Sequence, residues 1–143
     1  MKTIEHFIDQ QAAAEQEFME NFHREHRSFE NPLVTVNPYG IAPLTAVVAF
    51  FTEEKVSVSI TVKGMEASGD IAKSFPEAYE HVIPVLGLYP GTDNTVELRL
   101  SDGRRKEIII TTGPLDSAVK LPESIDTTAA YMAGNVMFVI PAM

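Results

Sequence analysis

Apolar and polar positions along the chain change their spacing twice. Over residues 3–29 the apolar positions recur at helical intervals. Ile4, Phe7, Ile8, Gln11, Glu15, Phe18, Met19 and Phe22 share one face, apolar apart from its two polar interruptions. Ala12, Ala13 and Ala14, with the Glu and Gln around them, favour a helix. Pro32 stops it. Residues 1–31 carry seven acids against three bases, which makes the opposite face acidic and water-facing.

From Pro32 to Thr112 the period becomes two. Residues 33–36 are short and β-branched, and residues 44–51 form a nearly continuous apolar run, as in a strand buried on much of both faces. Val56, Val58, Ile60 and Val62 alternate with Ser57, Ser59 and Thr61, so one face points in and one out. Val96, Leu98 and Leu100 alternate with Glu97 and Arg99. Asp102-Gly103 then makes a tight turn, and residues 106–112 return as the partner strand. Two weaker strands fall at residues 68–75 and 81–86. About seven short strands separated by turn signals predict a mainly β chain, an immunoglobulin-like β-sandwich preceded by an N-terminal amphipathic α-helix.

A third regime follows Gly113-Pro114. Pro122 and Pro141 punctuate it, and one apolar strand is expected at residues 136–140. The division expected is a helix over 1–30, a sandwich over 31–113, and a connector with one strand over 114–143 that leads toward a further domain.

Composition bounds the function. A chain of 143 residues can bury one core. No apolar run is long enough to span a bilayer. Met1-Lys2-Thr3-Ile4-Glu5-His6 is too polar for a secretory signal, so the chain stays inside the cell unless an export signal lies outside this stretch. The net charge of −9 repels phosphate, which argues against nucleic acid and against an anionic membrane as partners. Arg104-Arg105-Lys106 reads as the polar end of a hairpin. Absence of cysteine removes disulfides, thiolate nucleophiles and thiolate metal sites together.

No catalytic, cofactor-binding or metal site assembles from the remaining residues. His23 and His26 stand three apart on the helix, which is half of a metal site; a solvated helix end accounts for them. His81 opens an apolar strand as a satisfied edge residue. Gly87-Leu88-Tyr89-Pro90-Gly91 lacks the lysine and the following helix of a phosphate loop, and bends the chain between strands. Asp70, Glu77 and Glu80 lack a base or a calcium-loop glycine pattern and read as solvated. No G-x-S-x-G elbow occurs.

The most specific stretch is Asn37-Pro38-Tyr39-Gly40-Ile41-Ala42-Pro43-Leu44-Thr45-Ala46. Pro38 fixes φ, Gly40 can turn left-handed, and Tyr39 offers a ring with a hydroxyl. Pro43 opens a strand where no N–H is needed. This corner resembles the N-terminal domain of bacterial arylsulfate sulfotransferases. Val58-Ser59-Ile60-Thr61-Val62-Lys63-Gly64, Ile83-Pro84-Val85-Leu86-Gly87-Leu88-Tyr89-Pro90 and Asn94-Thr95-Val96-Glu97-Leu98 resemble the segments that follow in that family, in the same order.

The resemblance implies a small non-catalytic β-sandwich that serves a C-terminal six-bladed β-propeller, with no cofactor. In that propeller a histidine takes a sulfuryl group from an aryl sulfate and passes it to a phenol. No histidine of this chain inherits that role. Relatives from Gram-negative bacteria are exported to the periplasm, whereas this chain opens on a charged helix. The implied partners are the propeller and, in a homodimer, a second copy of the chain. A different class of reading is a stand-alone immunoglobulin-like binding or adhesion module, with loops 64–69 and 87–94 as its recognition surface.

Overall fold

The structure is a computed structural model that describes residues 4–119. Helix α1, Ile4–Glu25, is followed by five strands: β1 (Leu33–Val36), β2 (Thr45–Val62), β3 (Ile71–Leu86), β4 (Asp93–Leu100) and β5 (Arg105–Thr111). A 3₁₀ turn, Ala67–Gly69, joins β2 to β3. The strand expected at residues 136–140 lies outside the described residues.

All seven strand segments expected from the sequence lie in this sheet, fused into five. The runs at 44–51 and 56–62 are the two halves of β2, and those at 68–75 and 81–86 are the two halves of β3. Residues 68–69 belong to the 3₁₀ turn, so β3 begins later, at Ile71. Register shifts between Phe51/Val56 and Val56/Val58 let the antiparallel β2–β3 ribbon bend without leaving the sheet. β1 pairs with the first half of β2 through Leu33↔Ala49 and Val36↔Ala46. β4 pairs with the second half through Ile60↔Leu98, and β5 pairs with β4.

Bending converts one sheet into two layers. One layer holds β1 with the first half of β2 and the second half of β3; the other holds the remaining halves with β4 and β5. Ala46, Val48 and Phe50 therefore share one buried cluster with Val58, Ile60 and Val62 of the same strand. The two ends of β3 also meet: a side chain at Gly87 would collide with Ile71.

α1 covers the outer face of the first layer. Phe22 is fully buried and stacks on Phe51 with ring centroids 4.5 Å apart. Ala14, Phe18 and Asn21 face Leu33, Thr35 and Pro38 across a shallow groove. Phe7 and Ile8 continue the apolar stripe but remain 44% and 62% exposed. The helix ends at Glu25, four residues earlier than expected. His26 takes φ +45° and donates its N–H to the Phe22 carbonyl at 3.0 Å. That left-handed residue closes the helix, and it frees Phe29 to enter the core against Phe50.

Candidate functional site

β2 starts and ends at the same pole of the sandwich because it bends. Loops 37–44, 64–70 and 87–93 therefore lie together there, although they are far apart in sequence. These loops contain the corner at residues 37–44, Gly64 at the end of the second motif and residues 87–90 of the third. The described chain also leaves β5 at this pole, where the Gly91 N–H donates to the Gly113 carbonyl at 2.8 Å.

The first loop is organised by Asn37, which has φ +50°. Its N–H donates to the Thr45 carbonyl at 2.8 Å, its carbonyl accepts from the Gly40 N–H at 3.0 Å, and its Oδ1 accepts from the Ala42 N–H at 2.9 Å. Gly40 adopts φ +71°, the left-handed turn expected of it. Tyr39 and Ile41 face outward. The Leu44 carbonyl accepts the Leu88 N–H at 3.2 Å, which ties this loop to the third.

Gly64 and Asp70 hold the second loop. A Cβ on Gly64 would lie 2.5 Å from the Gly69 backbone, so only glycine allows this close approach. Asp70 accepts from Lys63 Nζ and from the Gly64 N–H, each at 2.9 Å. The Lys63 ammonium, followed by the Gly64 N–H, holds the Asp70 carboxyl below its ordinary range. Asp70 reciprocally raises Lys63. This carboxylate, read above as a solvated group, thus closes a loop.

Asn94 holds the third loop and is 3% exposed. Its Oδ1 accepts from the Tyr89 N–H at 2.7 Å. Its Nδ2 faces the carbonyls of Tyr89, Thr92 and Ile110 at 3.1, 3.2 and 3.2 Å. Buried Thr112 donates its hydroxyl to the Tyr89 carbonyl. One amide side chain thus joins a loop, the start of β4 and the end of β5. The leading position of Asn94 in its strand was visible in the sequence; its burial was not.

The histidines and carboxylates are distributed elsewhere. His23 Nε2 lies 3.0 Å from Glu80 Oε1, so Glu80 also has a partner. His26 stacks on Phe51 with centroids 4.1 Å apart, so the two helix histidines pack and pair with the sheet. His81 is buried, stacks on Phe50, and lies 3.2 Å from Thr52 Oγ1. Among the described residues no group of three His, Cys, Asp or Glu side chains could hold a metal ion. The opposite pole is charged. There Arg104 pairs with Asp102 at 2.8 Å and Glu30 at 3.4 Å, and lies over the Phe29 ring.

Burial holds the His81 imidazole below its ordinary value of 6.5, against an opposing contact with the Ala78 backbone. The fold therefore favours neutral His81, whereas the unfolded chain takes up the proton more readily. The stability this gives is complete above about pH 6.5 and is lost as pH falls below it. Urea midpoints measured at about pH 7 and about pH 5 should fall further for the parent than for His81→Gln. Both proteins keep the His23–Glu80 pair, so the difference isolates His81.

No curated protein and no solved structure matches the chain significantly. A family model described as the arylsulfotransferase Ig-like domain matches residues 33–116, from the first residue of β1 to just beyond β5. The match covers more than half of the chain and the whole folded sheet, and the chain belongs to the arylsulfotransferase Ig-like domain family.

Proposed function

We propose that this chain is the non-catalytic accessory sandwich of an arylsulfate sulfotransferase-like enzyme, with the transfer chemistry in another part of that enzyme. The parent reaction in this reading passes a sulfuryl group from an aryl sulfate to a phenol. The observation that carries the reading is the family match over residues 33–116.

The use of the polar residues at the pole where the three loops meet supports it. Asn37, Asp70, Asn94 and Thr112 direct their polar atoms at neighbouring backbone and side chains. They build loops and present no converging set of groups to a substrate. The histidines are poorly placed for an anionic donor. His23 faces a carboxylate, and His81 is 2% exposed. A sulfuryl-transfer site needs cations around the reacting oxygens, and this chain carries a net charge of −9.

Its role in this reading is to dock. Tyr39, Ile41 and Met65 are exposed at the pole where the described chain leaves β5. The partner proposed for that pole is the catalytic propeller, with a second copy of the chain as the other candidate. The reading as a recognition module draws less support. Loops 64–69 and 87–94 carry one aromatic residue, Tyr89, and it is half-buried.

The test is turnover with 4-nitrophenyl sulfate as donor and phenol as acceptor. The 143-residue chain should release nitrophenolate no faster than buffer does. Turnover that depends on the chain and on phenol would overturn the non-catalytic reading.

A further inference from the structure

β3 is hydrogen-bonded along one edge only. β2 holds that edge, and the other meets no strand among the described residues. Because β3 bends with β2, its two halves form the lips of a mouth between the layers. A groove of about 330 Å³ opens there, lined mainly by the apolar side chains of Ile60, Val62, Ile71, Phe75 and Leu86, with Lys73 at its rim. Ile60 and Val62 are core residues, so the groove reaches the core. Ile71 and Leu86 are 49% and 58% exposed. The volume is at the small end for a ligand pocket, and it suits a few apolar side chains.

Pro84 removes a backbone donor from the second half of this edge, and Pro76 removes one at the bend. Residues 71–75 contain no proline, so their outward donors and acceptors are intact. An open strand edge beside an apolar groove is a template for one more strand.

We propose that residues 71–75 receive residues 136–140 of the same chain, Val-Met-Phe-Val-Ile, as an added strand. Residues 136–140 lie outside the described structure and enter here as sequence alone. Their composition fits the groove. They are five uncharged apolar residues between Asn135 and Pro141, and Val136, Phe138 and Ile140 recur at strand period.

The path fits as well. The described chain leaves through Gly113, which is bonded to Gly91, and Gly87 at the other end of that loop lies against Ile71 at the mouth. The 17 steps from Val119 to Val136 can reach about 55 Å when extended, which exceeds the span of a small domain. A second copy fits less well. Antiparallel pairing of residues 71–75 with the same residues of a second copy would set Lys73 against its own counterpart, two like charges on one edge. The inference stands independently of the function proposed above.

The absence of cysteine makes a direct test possible. In the full chain, Lys73→Cys with Phe138→Cys forms the test pair. Arg99→Cys with Phe138→Cys is the control, because β2 separates Arg99 from β3. Under dilute oxidation the test pair should close within one chain at least about tenfold faster than the control. A second measurement needs no cysteine. Phe138→Glu in the full chain should lower amide protection over residues 71–75 by about tenfold or more and leave β4 and β5 unchanged. Equal closure rates, a disulfide formed between chains, or unaltered protection of residues 71–75 would each overturn the proposal.

Discussion

Phe50→Ala is expected to destabilise the domain by about 3–5 kcal/mol. Phe50 is fully buried in the first half of β2. It meets Phe29 edge-on, with centroids 5.2 Å apart, and stacks on His81 at 4.7 Å. It therefore joins the segment after α1, the bend of the ribbon and β3. Its loss leaves a cavity that β2 cannot close, because β2 is held by β1 on one side and β3 on the other. A domain of this size has a total stability of about 5–15 kcal/mol. The variant should unfold at much lower denaturant, with an m-value near that of the parent. Phe7→Ala serves as the control. Phe7 lies on the same predicted core face of the helix but is 44% exposed, so its loss should cost under about 1 kcal/mol.

Asn94→Ala is expected to cost about 3 kcal/mol by a different cause. The substitution adds little void. It leaves the Tyr89 N–H without its acceptor and the Ile110 carbonyl without the amide it faces, while the Thr92 carbonyl keeps the Thr112 N–H. Each buried polar group left unpaired costs about 1–3 kcal/mol, and water entering the loop recovers part of the sum. Asn94→Asp should be at least as damaging. A carboxylate cannot donate to those carbonyls, and it would bury a charge. Denaturant midpoints for the two variants check this. Equal stability of parent and Asn94→Ala would show that the third loop is held by other contacts.

Particular residues show how far the sequence could be read. The alternation of Val56 to Val62 and of Val96 to Leu100 follows from one buried and one wet face, and both appear as strands with the expected faces. Gly103 adopts φ +96° in the expected hairpin turn. The bend in β2 was not legible. Thr52-Glu53-Glu54-Lys55 has the composition of a turn, yet it is strand whose exposed side chains mark the fold of the ribbon. Pro84 lies inside the strand expected at residues 81–86 and Pro76 falls between the two expected halves, and an edge strand tolerates both. Pro32 was the visible helix stop, whereas His26 ends the helix first, because a left-handed non-glycine residue has no clear sequence signal.

The candidate site was legible as an ordered set of motifs and illegible as a place. Asn37, Gly64, Gly87 and Asn94 are distant in sequence, and only the bend in the ribbon brings their loops to one pole. The polar roles were also hidden. Asp70 and Asn94 look alike as loop or strand-end residues, but Asp70 makes a partly exposed ion pair and Asn94 is buried.

In the proposed function this chain supports sulfuryl transfer without performing it. The most direct measurement is the intact mass of the chain after incubation with excess 4-nitrophenyl sulfate. The mass should be unchanged, with His6, His23, His26 and His81 unmodified. A sulfuryl group mapped to any of those four histidines would contradict that function.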